Sequence, residues 1–129
     1  FNSTFHLVSP IELKLPRAVK IHIKEANLTY KQHTSLDEVI PLVDVLYMTR
    51  IQRERFSDPL EYEKIKNAYI LNNSMLDNTR ENLKILHPLP RVNEIDEDVD
   101  DNKRAYYFQQ ALNGVFVRQA LLTSILGLI

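Results

Sequence analysis

LKILHPLPR, residues 83–91, joins a short apolar run to a loop that contains two prolines. The apolar run predicts a buried strand, and the prolines forbid both helix and continued ladder pairing after it. Each proline also biases the residue before it, His87 or Leu89, towards extended geometry. We therefore predict a rigid loop whose backbone carbonyls lack partners of their own and can hold an amide-like NH2 group. An ordinary proline-stiffened turn is the other interpretation that these residues allow.

VDVLYMTR, residues 43–50, is a second apolar run, and it ends in a charged residue. Residues 43–48 are apolar at five of six positions, which is typical of a strand buried on both faces of a parallel sheet. Ligands of open α/β sheets bind beyond the carboxyl ends of the strands, so we expect Arg50 and Gln52 to meet residues 87–91 at one edge. An arginine there can bind a carboxylate bidentately. Spacing alone leaves an anion site and a solvated charged loop about equally open.

Strand and helix signals alternate about five times, which predicts an α/β fold with a parallel sheet covered by helices. The strand signals fall at residues 5–8, 28–32, 43–48, 68–71 and 83–86. The helix signals fall at residues 16–26, after a capping box at 35–38, at 61–67, at 74–79 and from about 103 onward. The acidic residues 94–102 predict a solvated loop, and Gly114 predicts a kink in the last helix.

The stretch from residue 105 onward is apolar enough to raise the question of a membrane span. Polar residues interrupt it too often for a bilayer crossing, namely Gln109, Gln110, Asn113, Arg118 and Gln119. Its apolar residues fall on one face at helical spacing instead, namely Ala111, Val115, Leu122, Ile125, Leu126 and Ile129. We expect no membrane partner, and no signal peptide at the N-terminus, where a basic region followed by an apolar one is missing.

The composition excludes several classes of function. At 129 residues and a formal net charge of −1, the chain has the size of one domain and no basic excess for nucleic acid. The lack of cysteine excludes disulfides and thiolate chemistry, and it fits a reducing, cytoplasmic location. The four histidines are scattered, and we find no metal-ligand spacing, glycine-rich phosphate loop, catalytic triad or carboxylate pair. The residues alone predict a binding half-site without an evident general base.

TRIQ (residues 49–52) and HPLPR (residues 87–91) together resemble the motifs of aspartate carbamoyltransferases. The resemblance spans nearly the whole chain but only the C-terminal half of the family's chains. It implies a three-layer, Rossmann-like L-aspartate-binding domain over residues 1–129, with an about five-stranded parallel sheet and helices on both faces. The carbamoyl-phosphate-binding domain is expected to lie outside this sequence. The final helix packs on that domain in the family, so its apolar residues are expected to be exposed here.

The activity implied by the resemblance is transfer of the carbamoyl group of carbamoyl phosphate to the amine of L-aspartate. The products are N-carbamoyl-L-aspartate and phosphate, in de novo pyrimidine biosynthesis. The reaction uses no metal and no organic cofactor, and it depends on orientation and on stabilisation of a charged tetrahedral state. The family's catalytic unit is a homotrimer, so a partner chain is implied as well.

The resemblance also implies roles for individual residues. Arg50 binds a carboxylate of L-aspartate, with Gln52 as its polar partner. The backbone carbonyls of Leu89 and Pro90 contact the carbamoyl group, and the peptide bond between these two residues is cis.

Other residues support this site by the same resemblance. Glu54 and Glu94 orient the substrate-binding arginine, and Arg55 bridges the two domains. Residues 53–69, with Glu61 and Tyr62, correspond to a mobile loop that closes over aspartate.

His87 and Arg91 complete the proline loop, and His87 is expected to position the loop rather than to catalyse. We assign no catalytic residue to this chain. The family's phosphate-binding motif, its catalytic histidine and a second aspartate-binding arginine belong to the preceding half.

Three alternatives remain open. Ornithine carbamoyltransferase shares the fold, but its loops contain His-Cys-Leu-Pro and Ser-Met-Gly, and an arginine suits a carboxylate rather than an ammonium side chain. A noncatalytic homologue kept for assembly or regulation would not require Arg50, Gln52, Leu89 and Pro90 together. A generic anion-binding α/β module would bind simple dicarboxylates without turnover.

Overall fold

The computed structural model describes residues 3–53 and 56–128. Within them, four strands alternate with three α-helices and four short 3₁₀ helices. The strands and α-helices are β1 (Thr4–Val8), α1 (Arg17–Glu25), β2 (Thr29–His33), β3 (Val45–Tyr47), α2 (Pro59–Ile65), β4 (Lys84–Leu86) and α3 (Tyr107–Ile125). The 3₁₀ helices are Ile11–Leu13, Ile40–Leu42, Asn73–Leu76 and Glu97–Val99. The predicted alternation of strand and helix is confirmed.

Local sequence explains where two of the helices begin. α1 follows Pro16, whose fixed φ suits the entry into a helix. α2 begins at Pro59, and the side chain of Asp58 accepts a hydrogen bond of 2.8 Å from the N–H of Leu60. Such a cap satisfies one of the donors that the first turn of a helix leaves without an internal partner.

The helix predicted after the capping box at residues 35–38 does not form. The chain makes a turn there, in which the N–H groups of Val39 and Ile40 both donate to the carbonyl of Leu36 at 3.0 and 3.1 Å. Pro41 has no N–H to continue an α-helical ladder, so the turn passes into the 3₁₀ helix Ile40–Leu42.

The strands pair in parallel as two separate two-stranded sheets, β1 with β2 and β3 with β4. Single bridges add Ala105 beside Ile85, and join Leu71 to Ile95. The prediction of parallel pairing is confirmed, but the described residues do not form a continuous five-stranded sheet. The strand predicted at 68–71 is reduced to Leu71, because its N–H and C=O groups bond to Glu94 and Asp96 rather than to β3 or β4.

The core lies around the middle residues of β3 and β4, Leu46 and Ile85. Buried apolar side chains from the rest of the chain surround them, namely Leu36, Ile40, Met48, Leu71, Leu76, Leu83, Ile95, Val99 and Tyr107. The prediction that β3 is buried on both faces is wrong. Val45 and Tyr47 point to the opposite face from Leu46 and are about half exposed, as the two-residue period of a strand allows.

The acidic segment 94–102 is not a solvated loop, contrary to the prediction. Ile95 and Val99 are buried in the core, and the 3₁₀ helix Glu97–Val99 lies between them. Their spacing of four residues brings both side chains to one side of a helical turn. The acidic side chains between them, Asp96, Glu97 and Asp98, are exposed.

β1, α1 and β2 form a unit in which no residue between 3 and 35 is fully buried. The unit brings His6 and His33 together, with stacked rings 5.1 Å apart and 3.1 Å between Nδ1 of His6 and Nε2 of His33. These two histidines are therefore not scattered as the sequence indicated. Partial burial, followed by the nearby charges of His33, Lys31 and Arg80, lowers the pKa of His6.

α3 is continuous through Gly114, so the predicted kink is absent. The Arg118 side chain covers this glycine so closely that a Cβ there would lie 2.8 Å from Nη1. Many apolar side chains of the helix are exposed, and they lie all around it rather than on one face, namely Phe108, Leu112, Val115, Phe116, Val117, Leu121, Leu122, Ile125 and Leu126. Their predicted exposure is confirmed. Ile129 lies outside the described residues, within which no helix has the length and apolar character needed to cross a bilayer.

The exposed side chains of α3 predict that the isolated chain self-associates and binds an apolar dye. Ile125→Lys removes a side chain that is 80% exposed, so we expect less dye fluorescence and a larger monomer fraction without loss of the fold. Gln119→Lys is the matched control, because it adds the same charge to α3 and removes no apolar surface. Dye titration and light scattering measure both effects. A monodisperse, dye-free parent chain would contradict the prediction.

Candidate functional site

β3 and β4 end side by side, and the two loops singled out by the sequence begin there. Tyr47 and Leu86 are the last paired residues, and the N–H of Met48 then donates to the carbonyl of Leu86 at 2.9 Å. Arg50 follows β3 after two residues, and His87 follows β4 directly. The prediction that both loops leave from one edge is confirmed.

The proline loop after β4 turns sharply instead of continuing in extended form. The peptide bond between Leu89 and Pro90 is cis, as the resemblance implied. Leu89 has a φ of 49°, so the prediction of extended geometry at this residue is wrong. Its N–H turns back and donates to Nδ1 of His87 at 2.8 Å. A side chain of the loop therefore satisfies the backbone of the same loop.

His87 is 2% exposed and forms hydrogen bonds through both ring nitrogens. Nδ1 accepts from Leu89, so the ring proton is assigned to Nε2, which donates to Oε1 of Glu94 at 2.7 Å. A buried ring with a donor at one end and an acceptor at the other has one favoured orientation. This arrangement agrees with the predicted positioning role of His87.

Glu94 fixes the second half of the loop. Its Oε2 accepts hydrogen bonds of 3.1 Å from the N–H groups of Val92 and Asn93, and its backbone carbonyl accepts from Leu71 in the core. Burial alone would raise the pKa of Glu94, but the backbone N–H donors and His87 outweigh it, and the pKa is lowered. Glu94 is therefore a carboxylate that holds the loop together; its predicted contact with Arg50 stays a prediction.

Arg91 leaves the loop towards the acidic segment and forms a forked ion pair with Asp100. Nη2 lies 2.7 Å from Oδ2, Nη1 binds Oδ1, and the Tyr107 hydroxyl also donates to Oδ1. The hydrogen bond from Arg91 lowers the pKa of Asp100 despite partial burial. Burial, followed by the hydrogen bond and charge of Asp100, raises the pKa of Tyr107 to about 12. The sequence analysis missed Asp100 and Tyr107, although the four-residue spacing of Ile95 and Val99 indicated a packed segment here.

The residues after β3 provide the other half of the site. Arg50 is exposed and Gln52 is half-buried. Glu54 and Arg55 lie outside the described residues, so their predicted roles stay predictions. Arg50 and Gln52 are thus available to solvent at the edge where the proline loop also begins.

The predicted mobile loop contains α2, no residue of which is buried. Glu61 is exposed, whereas Tyr62 is half-buried and its ring centre lies 5.9 Å from that of Phe56. After α2, Asn67 accepts a hydrogen bond from the side-chain amide of Asn93 in the proline loop. This contact joins the segment to the site, and the closing motion stays a prediction. In the described part of the chain, no group of three or more His, Cys, Asp or Glu side chains is suited to a metal ion.

Residues 1–125 match the model of the aspartate/ornithine carbamoyltransferase Asp/Orn-binding domain. The chain belongs to this family. It is 60% identical to the aspartate carbamoyltransferase catalytic subunit of Bacteroides fragilis, over 99% of this chain and 42% of that subunit. The corresponding subunit of Clostridium perfringens is 50% identical over 98% of this chain and 41% of its own length. The chain thus spans about two fifths of these relatives.

Solved structures of aspartate transcarbamoylases have the same fold. The catalytic subunit from M. jannaschii superposes with a TM-score of 0.86 at 44% identity, over 98% of this chain and 40% of that one. The Trypanosoma cruzi enzyme, in complex with carbamoyl phosphate and aspartate, gives a TM-score of 0.81 at 33% identity, over 92% of this chain and 40% of that one. The resemblance stated from the two motifs is confirmed, and so is the Rossmann-like α/β class of this family domain.

The hydrogen bonds of Glu94 predict that Glu94→Gln destabilises the fold. Gln has one acceptor oxygen and an NH2 group, so it cannot accept from both His87 and the two backbone N–H groups. We expect a loss of about 2 kcal/mol in the free energy of unfolding, measured by urea denaturation.

Glu97→Gln is the matched control for this measurement, because Glu97 is exposed in the same segment. Its expected effect is within about 0.5 kcal/mol. Equal stability of the two variants would show that the Glu94 contacts contribute nothing measurable.

The lowered pKa values of Glu94 and Asp100 predict acid sensitivity. Each carboxyl binds a proton less readily in the folded chain than in the unfolded chain, so its stabilising effect is complete above the unfolded pKa of about 4. This effect is lost as the pH falls through the folded pKa. We expect the free energy of unfolding to fall below about pH 4, and to fall less steeply in Glu94→Gln and Asp100→Asn. Urea denaturation between pH 3 and pH 7 measures the slopes, and parallel slopes in all three proteins would contradict the assignment.

Proposed function

We propose that this chain is the L-aspartate-binding part of an aspartate carbamoyltransferase catalytic polypeptide. The observation that carries the proposal is the meeting of two loops at one sheet edge. The loop with Arg50 and Gln52 leaves β3, and the cis Leu89–Pro90 loop leaves β4 beside it. One loop offers a guanidinium for a carboxylate, and the other offers fixed backbone carbonyls for an amide-like NH2 group.

In the proposed reaction, the amine of L-aspartate attacks the carbamoyl carbon of carbamoyl phosphate. The new C–N bond forms as the C–O bond to phosphate breaks, and the amine loses its proton. Arg50 and Gln52 hold the aspartate, and the carbonyls of Leu89 and Pro90 orient the carbamoyl group. Such orientation of two reactants is a large source of rate acceleration. The substitution involves no net oxidation or reduction, and the proposal includes no cofactor.

Residues around the two loops have supporting roles in this proposal. His87 and Glu94 hold the proline loop from inside, and Arg91 ties the loop to Asp100. Among the loop residues, Arg50 is oriented by carboxylates of Glu54 and Glu94.

Further parts of the proposed enzyme lie at its moving and domain-facing surfaces. Arg55 bridges to the carbamoyl-phosphate-binding domain, and Glu61 and Tyr62 belong to a loop that closes over the substrates. The proposed full catalytic chain also contains that second domain and forms a cytoplasmic homotrimer. The exposed apolar side chains of α3 support a partner domain against this helix.

A hybrid polypeptide tests the proposal. In it, this chain replaces the matching segment of the 60% identical Bacteroides fragilis catalytic subunit. We expect carbamoyl transfer to L-aspartate and none to L-ornithine, and no transfer by the isolated chain. A folded hybrid without activity, as judged by circular dichroism and gel filtration, would overturn the proposal in favour of a noncatalytic homologue.

Within the hybrid, Arg50→Ala is expected to lower kcat/KM for aspartate about 100-fold. This is the size expected when a charged hydrogen bond worth up to about 3 kcal/mol is lost. Arg17→Ala, at the exposed start of α1, is the control and should leave the value unchanged. Steady-state kinetics at saturating carbamoyl phosphate measure both variants. Equal values for the two variants would remove Arg50 from the substrate site.

A further inference from the structure

We propose that Gln110 is a positioning residue that sets the spacing between the aspartate loop and the carbamoyl loop. This inference rests on the proposed function and deepens it. Gln110 lies near the start of α3, and its side-chain amide contacts both strand ends. Oε1 accepts a hydrogen bond of 3.0 Å from the N–H of His87, and Nε2 donates to the Tyr47 hydroxyl at 3.4 Å.

The contacts of Gln110 begin where the β3–β4 ladder ends. The last ladder bond joins the N–H of Met48 to the carbonyl of Leu86. One residue later, the N–H of His87 no longer has a strand partner and bonds to Gln110 instead. The two loops diverge from this point, so the amide of Gln110 joins their bases after the sheet has stopped doing so.

The chemistry of an amide fits this position. Gln110 accepts at one end and donates at the other, which no apolar or purely acidic side chain of that length does without rearrangement. It is also mounted on a helix that packs against β4, and its backbone N–H bonds to the carbonyl of Tyr106 at 2.8 Å. A rigid support of this kind is what a positioning contact requires.

Spacing matters for this reaction because two separate reactants must meet. Arg50 and Gln52 follow Tyr47 on one loop, and Leu89 and Pro90 follow His87 on the other. A shift of the loops relative to each other leaves each half-site intact but moves the amine away from the carbamoyl carbon. A misplacement of about 1 Å can lower a rate about 100-fold. The expected signature is therefore a loss of kcat rather than of affinity for either substrate.

The test compares Gln110→Met with Gln109→Met in the hybrid polypeptide. Met has a similar length and lacks both polar atoms. Gln109 is the neighbouring exposed residue of α3, and its amide bonds to Asn113 at 2.8 Å rather than to a strand. We expect Gln110→Met to lower kcat at least tenfold and to leave both KM values within threefold. Gln109→Met is expected to change neither.

A second readout separates positioning from loss of folded protein. N-(phosphonacetyl)-L-aspartic acid, the ligand of one of the T. cruzi structures, joins an aspartate to a phosphonate and must span both half-sites. Calorimetric titration gives its Kd and the fraction of competent sites separately. We expect Gln110→Met to raise Kd at least tenfold at unchanged stoichiometry, while inhibition by succinate, which occupies the aspartate half-site alone, stays within twofold.

Tyr47→Phe provides a variant that keeps the fold, because Tyr47 is about half exposed. It removes only the acceptor of the Gln110 amide, and we expect a loss of kcat of about threefold. In the double variant Gln110→Met/Tyr47→Phe, the loss should not exceed that of Gln110→Met, since the contact is already absent. Independent, multiplying losses would overturn the coupling through Gln110.

Two further results would also overturn the inference. One is a Gln110→Met hybrid with kcat and Kd within twofold of Gln109→Met; the other is a lower stoichiometry with unchanged Kd, which indicates a structural role only. In both cases the unsubstituted hybrid is active, so the proposed function stands. A folded, inactive unsubstituted hybrid overturns the proposed function, and this inference with it.

Discussion

The buried hydrogen bond between His87 and Glu94 is the constraint on which the geometry of the site depends. It lies inside the loop after β4, with Leu89 bonded to the far side of the histidine and two backbone N–H groups bonded to the far side of the carboxylate. The described residues leave no buried side-chain nitrogen or oxygen without a partner. A buried polar network satisfied in this way specifies one arrangement, because any other would leave a group unpaired away from water. The backbone carbonyls of Leu89 and Pro90 inherit that arrangement.

The sequence was sufficient for features that follow from short-range rules. Two prolines in three residues predict a loop after a strand, and two apolar runs that end in polar residues predict two loops at one sheet edge. Both features are present in the structure. The motifs at residues 49–52 and 87–91 identified the family, and the cis bond before Pro90 followed from that resemblance rather than from any local rule.

Other features depend on partners that a local pattern does not contain. Leu71 was predicted to lie in a strand, but the backbone of residues 94–96 takes up its hydrogen bonds. The acidic segment was predicted to be solvated because its charges outnumber its apolar residues, yet Ile95 and Val99 are enough to bury one side of it. The roles of Asp100 and Tyr107 depend on Arg91 reaching across from the proline loop. Periodicity also failed for α3, because a helix that is apolar on several sides has no single face to detect.

The unequal burial of the two sheets has a consequence for local unfolding. Every fully buried residue of the described chain lies at position 36 or beyond, so the β1–α1–β2 unit lacks a core of its own, whereas β3 and β4 pass through the centre of the other. Units with few buried contacts open at lower free energy than the global transition. The amide hydrogens of residues 4–33 therefore exchange through sub-global openings, while those of β3 and β4 require unfolding of the whole molecule. In this hierarchy, the segments that bear the two loops belong to the last cooperative unit to open.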